Sequence, residues 1–155
     1  EYSREHGIYT FCFGVLAGGF LDERYMGKAQ SAPETRSQVK YMQIIEDSLG
    51  WEGMQQLLPL LKQIADRHGV RIANVATQYI LRQPGVGAVM IGTRNSRHVD
   101  SNVATLNFDL TEDEMQTIHD FIGRYPTPEG DCYWLERNSP RYKGIILTDR
   151  NNVVH

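Results

Sequence analysis

Two short runs carry the residue types of a sheet interior, Ile8-Tyr9-Thr10-Phe11-Cys12-Phe13 and Val86-Gly87-Ala88-Val89-Met90-Ile91. Each is closed by glycine before helical periodicity takes over. Strand, helices, strand, helices is the grammar of parallel α/β units. Two strands are too few, because a parallel sheet needs both faces covered and several strands to make a core. The pattern therefore predicts one part of a larger α/β fold, with Ile8–Phe13 as a buried strand.

Helical periodicity fills the rest. Pro33 stands near the start of a peripheral helix within Ser31 to Leu49, whose charged residues read as a solvated face. A second helix runs from Trp51 to His68 and ends at Gly69, with Pro59 marking a kink or a later start. A third covers Ile72 to Arg82 and stops before Gln83-Pro84-Gly85. The helix after the second strand reaches Leu106 with an inner stripe of Val99, Val103 and Leu106. Thr111-Glu112-Asp113-Glu114 is a capping box ahead of Met115, Ile118, Phe121 and Ile122. Residues 1–125 thus form the α/β domain and 126–155 an irregular tail, within which Gly144-Ile145-Ile146-Leu147 has the composition of a short strand.

With 155 residues, 41% of them hydrophobic, the chain is long enough for one domain with a sizeable core. A net charge of −3 gives no bulk field for nucleic acid or an acidic membrane surface, and no apolar stretch approaches a membrane span. Cys12 and Cys132 show neither a disulfide framework nor metal-ligand spacing, and the histidines are likewise scattered, so no metal site is read and a cytoplasmic setting is the default. The opening Glu1-Tyr2-Ser3-Arg4, without methionine or an apolar leader, reads as a piece of a longer protein.

The functional signal lies at the junction after Ile91. Gly92-Thr93 leads into Arg94-Asn95-Ser96-Arg97-His98-Val99-Asp100-Ser101-Asn102, a helix start rich in arginine and small hydroxyl or amide residues. Backbone N–H groups there, the positive end of the helix dipole and a guanidinium fork suit an anion such as phosphate, although solvated arginines at a common junction fit the same letters. After the first strand, Gly14-Val15-Leu16-Ala17-Gly18-Gly19 lets a ligand or another backbone come close, and a plain turn fits equally.

Three segments taken together resemble the C-terminal part of an aldo-keto reductase: Gly14 to Leu21, Ile72 to Leu81, and Val89 to Asn102. The resemblance runs in order from Ser3 to Phe121 and implies an α/β fold, the C-terminal portion of a (β/α)8 TIM barrel left incomplete, with about two core strands among mostly helices. Ile8–Phe13 would be the seventh strand and Val86–Ile91 the eighth, and barrels of this kind often bind phosphate with the loops that follow those strands. It further implies NADP(H) as cofactor and small-molecule carbonyl or alcohol substrates. Gly92, Thr93 and Arg94 would line the adenosine 2′-phosphate, and His98, Ser101 and Asn102 would hold phosphate and adenine along the next helix, His98 being equally at home as a solvated residue. Arg94 favours NADP over NAD, since its fork can grip the extra phosphate and its face can stack on adenine. Gly14, Val15, Leu16 and Gly18 would lie along the pyrophosphate, with Arg24 near a position where relatives often carry lysine.

The sequence departs from the family pattern in two ways. Many relatives read Tyr-Ser-Pro-Leu where this chain reads Phe13-Gly14-Val15-Leu16, so the aromatic that stacks under the nicotinamide is kept as Phe13 or Phe11 while the serine hydroxyl is lost at Gly14. The family's acid tyrosine, with its lysine, aspartate and histidine, belongs to earlier strands and has no counterpart here, so no catalytic residue is assigned. The reading is accordingly the cofactor-binding part of an NADP-dependent oxidoreductase, inactive and poorly stable by itself. A nicotinamide-binding regulatory or scaffold protein on the same fold, or an inactive truncated product with exposed strand edges, fits the same residues.

Overall fold

A computed structural model of the chain describes residues 2–93, 95–128, 130 and 132–143. The elements run α1 (Tyr2–Glu5), β1 (Thr10–Phe13), α2 (Arg36–Asp47), α3 (Gly50–His68), α4 (Ile72–Leu81), β2 (Val86–Met90), α5 (Arg97–Val103), α6 (Glu112–Ile122), α7 (Cys132–Asn138) and α8 (Pro140–Lys143). Short 3-10 turns occupy Ala17–Gly19, Glu23–Tyr25 and Ala104–Asn107.

The two strands pair in parallel, with Thr10 opposite Val86, Phe11 opposite Ala88, Cys12 opposite Val89 and Phe13 opposite Met90. The register slips between Thr10 and Phe11, so Gly87 has no partner of its own. A side chain at Gly87 would meet Tyr9 Cβ at 2.8 Å, which is why glycine stands at this irregularity. The core lies elsewhere. Phe20, Met42 and Ile45, Met54, Leu57, Leu58, Leu61, Ile64 and Ala65, Ile72 and Val75, and Leu110, Ile118 and Phe121 form one buried cluster among α2, α3, α4 and α6.

Local chemistry explains the boundaries. Two residues after Pro33, Thr35 caps α2, its hydroxyl accepting from the Gln38 N–H. Helix α3 is continuous through Pro59, which is exposed and has no N–H to offer the Gln55 carbonyl. It ends in a left-handed Gly69, whose N–H donates to the Asp66 carbonyl while the Val70 N–H reaches back to Ala65, a Schellman arrangement. The capping box of α6 forms as its letters require, with Thr111 Oγ1 accepting from the Glu114 N–H and the Glu114 carboxylate accepting from the Thr111 N–H.

Several expectations are corrected. The first strand is shorter than Ile8–Phe13 and is not buried: Phe11 and Phe13 are 64% and 54% exposed, because the helical core packs beside the sheet and leaves its faces open. Val99, Val103 and Leu106 are also exposed, for α5 is held from its other side, where the Asn74 amide donates to the Ser101 carbonyl and to the buried Thr105 hydroxyl. The tail is not wholly irregular, since α7 and α8 follow Pro126 and Pro128. The Arg141 guanidinium pairs with Glu46 and Asp47, and the Tyr142 hydroxyl donates to Asp47, tying α8 to the end of α2. The strand composition at 144–147 lies outside the described residues.

Glu114 does more than cap. Its carboxylate also accepts from His68 Nε2 at 2.9 Å and pairs with Arg67 at 3.1 Å, joining the end of α3 to the start of α6. Burial raises the carboxyl pKa, but the hydrogen bonds from His68 and the Thr111 backbone and the charges of His68 and Arg67 outweigh it and hold it below the ordinary 4.5. The unfolded chain therefore binds this proton more readily, and the stability contributed is complete above pH 4.5 and lost as the pH falls through the lowered folded value. In urea unfolding, the advantage of the native protein over Glu114→Gln is expected to be largest above that pH and to shrink below it. Leu58 has no exposed surface, and Leu58→Ala is expected to cost about 2–5 kcal/mol in the same measurement, the usual range for a cavity in a close-packed interior.

Candidate functional site

Parallel pairing of Phe13 with Met90 sends both chain segments out of the sheet at the same end. The glycine-rich loop leaves from β1 and the Gly92–Asn102 junction leaves from β2, so two segments far apart in sequence start from the end of the sheet at which open α/β sheets and barrels carry their ligands.

Four of the six loop residues are left-handed. Gly14, Ala17, Gly18 and Gly19 have φ of 73°, 49°, 67° and 91°, a run that side chains disfavour. It is closed by its own backbone, the Ala17 N–H donating to the Gly14 carbonyl at 2.9 Å and the Gly19 N–H to the Leu16 carbonyl at 2.8 Å. Two of its glycines are also needed for space. A Cβ at Gly18 would sit 3.1 Å from the Ser37 carbonyl oxygen, and one at Gly14 would overlap the Tyr41 ring. Val15 and Leu16 are half-buried between them.

Beyond the loop, Phe20 is buried and packs its ring against Tyr25, tilted, and Trp51, edge to face, with centroids 5.1 and 5.9 Å away. The Gln55 amide donates to the Tyr25 carbonyl and accepts from the Gly27 N–H, fixing this segment to α3. Arg24 is exposed, reaches the Gly19 carbonyl at 3.5 Å and lies 4.8 Å over the Tyr25 ring. The next residues tie the loop to α4: Glu23 accepts from the Ile72 N–H, and Arg71 pairs with both Asp22 and Glu23 at 3.1 Å. Burial raises the Glu23 pKa, but the Ile72 N–H and the Arg71 guanidinium prevail and hold it below its ordinary value.

On the β2 side, Gly92 and Thr93 are exposed. The Asn102 amide donates to Thr93 Oγ1 at 3.0 Å, closing the turn against its helix. His98 and Ser101 are half-buried on α5, the His98 N–H donating to the Asn95 carbonyl. Arg94 lies outside the described residues. Of the residues singled out from sequence, the structure thus brings Phe13, Gly14, Val15, Leu16 and Gly18 together on one loop, sets Arg24 against its far end, and gathers Gly92, Thr93, His98, Ser101 and Asn102 on the neighbouring turn. Sequence reading missed Tyr41 and Ser37, since they belong to a helix read as peripheral. The signal for them lay in the two glycines they press against.

This arrangement can cradle an extended, polyanionic ligand: close-approach backbone on one side, a hydroxyl and amide turn on the other. Two surface clefts lie elsewhere, one lined by Gln30, Pro33, Met42 and Glu46 and the other by Asp47, Pro128, Trp134 and Arg141, and neither includes a residue of the loop or the turn. No helix among the described residues is long and apolar enough to cross a membrane.

The chain is 26% identical over 131 residues to Protein tas of Escherichia coli strain K12, an alignment covering 83% of this chain and 36% of that protein. It is 28% identical over 126 residues to the aryl-alcohol dehydrogenase GME11368 of Pestalotiopsis microspora, covering 79% of this chain and 30% of the other. It therefore spans about a third of the length of these relatives. A glycerol dehydrogenase from Gluconobacter oxydans has a similar fold, with a TM-score of 0.66 at 19% identity over 84% of this chain and 39% of that one. That enzyme is a TIM barrel, and the two parallel strands and flanking helices here are an incomplete part of the same fold. The profile of the Aldo/keto reductase family matches residues 1–122, and the chain belongs to that family.

Proposed function

We propose that this chain is the cofactor-binding part of an NADP-dependent oxidoreductase interconverting carbonyl and alcohol groups on small molecules in the cytoplasm. The observation that carries the reading is the emergence of the Gly14–Gly19 loop and the Gly92–Asn102 turn from the same end of a parallel strand pair. A dinucleotide fits such a place, because its pyrophosphate needs backbone that comes close and its adenosine end needs hydrogen-bonding and cationic groups.

In this reading Gly14, Val15, Leu16 and Gly18 run along the pyrophosphate, Arg24 adds positive charge, and Phe13 offers an exposed ring to the nicotinamide. Gly92, Thr93 and Arg94 take the 2′-phosphate, with His98 and Ser101 beside them. Asn102, its amide nitrogen turned to Thr93, keeps a carbonyl oxygen that can accept from an adenine amino group. The cofactor, when bound, supplies the hydride. The protein's part is to hold and orient it, and no residue of this chain is assigned the proton transfer.

Arg94→Ala is expected to weaken NADPH binding about tenfold or more, the loss of a charge-assisted contact, and to leave NADH nearly unchanged. Calorimetric titration with both cofactors checks this, and an equal loss for the two would show that Arg94 does not read the 2′-phosphate. The 155-residue chain is expected to give no NADPH-dependent reduction of an aromatic aldehyde in a 340 nm absorbance assay, and turnover there would overturn the assignment of proton transfer to residues outside it.

A further inference from the structure

We propose that the Tyr41 hydroxyl is the phosphate-binding hydroxyl of the glycine-rich loop, standing in for the serine that the loop lacks; this rests on the cofactor reading above. Gly14 is the first residue after β1, at the end of the sheet from which both segments leave. A Cβ built on it would lie 1.6 Å from Tyr41 Oη and 2.6 Å from Tyr41 Cζ. The phenol oxygen therefore stands about one bond length from where a side chain would begin, in space that a serine at this position would use.

The fit continues along the loop. The other edge of the same ring, at Cδ2, lies 3.1 Å from a Cβ built on Gly18. One aromatic side chain thus accounts for the lack of a side chain at two positions, and it spans the stretch proposed to follow the pyrophosphate. Serine at Gly14 is excluded twice, by the ring and by a φ of 73°. A hydroxyl can reach this spot only from another element, and α2, packed on the Ala17–Gly19 turn, provides it.

The surroundings favour an anion. The Lys40 ammonium lies 5.8 Å from the centroid of the Tyr41 ring, and the Arg24 guanidinium stands at the Gly19 carbonyl. The loop's carboxylates, Asp22 and Glu23, are turned to Arg71 and the start of α4. A phenol O–H can donate to a phosphate oxygen, and hydrogen bonds to charged groups are the stronger kind.

Tyr41→Phe keeps the ring and removes only the oxygen, so it separates a hydroxyl that binds from a ring that merely fills space. In isothermal titration of the protein, this variant is expected to bind NADP+ about tenfold more weakly. Adenosine 2′-phosphate, which lacks the pyrophosphate, should bind both proteins alike, and thermal unfolding followed by circular dichroism should show the variant folded. Gly14→Ala, whose Cβ would displace the phenol oxygen, should weaken NADP+ in the same selective way. Unchanged NADP+ affinity in Tyr41→Phe, or an equal loss for both ligands, overturns the role of Tyr41 and leaves the cofactor reading standing. Failure of the native protein to bind either ligand overturns both.

Discussion

Phe20 is where the glycine-rich loop is fastened to the rest of the molecule. Left-handed residues have little to hold them in place, since glycine loses more freedom on ordering than any other residue. Here the loop is followed at once by a phenylalanine only 1% exposed, packed with Tyr25 and Trp51 and embedded in the cluster that α2, α3, α4 and α6 build. The hydrophobic energy of that burial, about 1.5–3 kcal/mol for a side chain of this kind, offsets part of the cost of ordering the loop. Everything proposed for the site depends on this anchor, because a cradle that wanders cannot discriminate its ligand.

Polar contacts complete the fastening from other directions. Asp22 and Glu23 are adjacent in sequence yet both reach Arg71, and Glu23 also satisfies the Ile72 N–H at the start of α4. Helix α4 in turn leads into β2 and holds α5 through Asn74. The loop after β1 and the turn after β2 are thus joined by two routes, the strand pairing itself and a relay through Arg71, α4 and Asn74. A site made of two segments separated by nearly half of the chain keeps its geometry because the same short helix touches both.

Much of this was legible in the letters. Helical periodicity located α3, α4 and α6, Gly69 marked a C-terminus, and Thr111 to Glu114 spelled a capping box that the structure contains. Both strands were found, because β-branched and aromatic runs closed by glycine are a strong local signal. What failed were statements about burial. An apolar run such as Ile8–Phe13 reads as core whether or not anything covers it, and Phe11 and Phe13 stay more than half exposed. The stripe Val99, Val103, Leu106 failed for the same reason, since periodicity fixes which side chains share a face but not what that face meets. Helices α7 and α8 were missed because segments this short carry less than two turns of pattern.

The glycines show the same limit from the opposite side. Sequence alone marked Gly14 and Gly18 as places of close approach and could not say what approaches, a ligand or another part of the chain. The structure supplies a protein answer, Tyr41 and Ser37, without removing the ligand from the reading, because a phenol has a polar end as well as a ring to pack. A hydroxyl carried on a helix is also held differently from one on a loop. Tyrosine has two side-chain torsions, and here its ring is wedged against two backbone positions, whereas a serine on the loop would share whatever freedom the loop retains. Moving the donor from Gly14 to α2 therefore couples the binding groups directly to the helical core, through Met42 and Ile45 on the same helix, and makes the loop's shape and the hydroxyl's position a single packed unit.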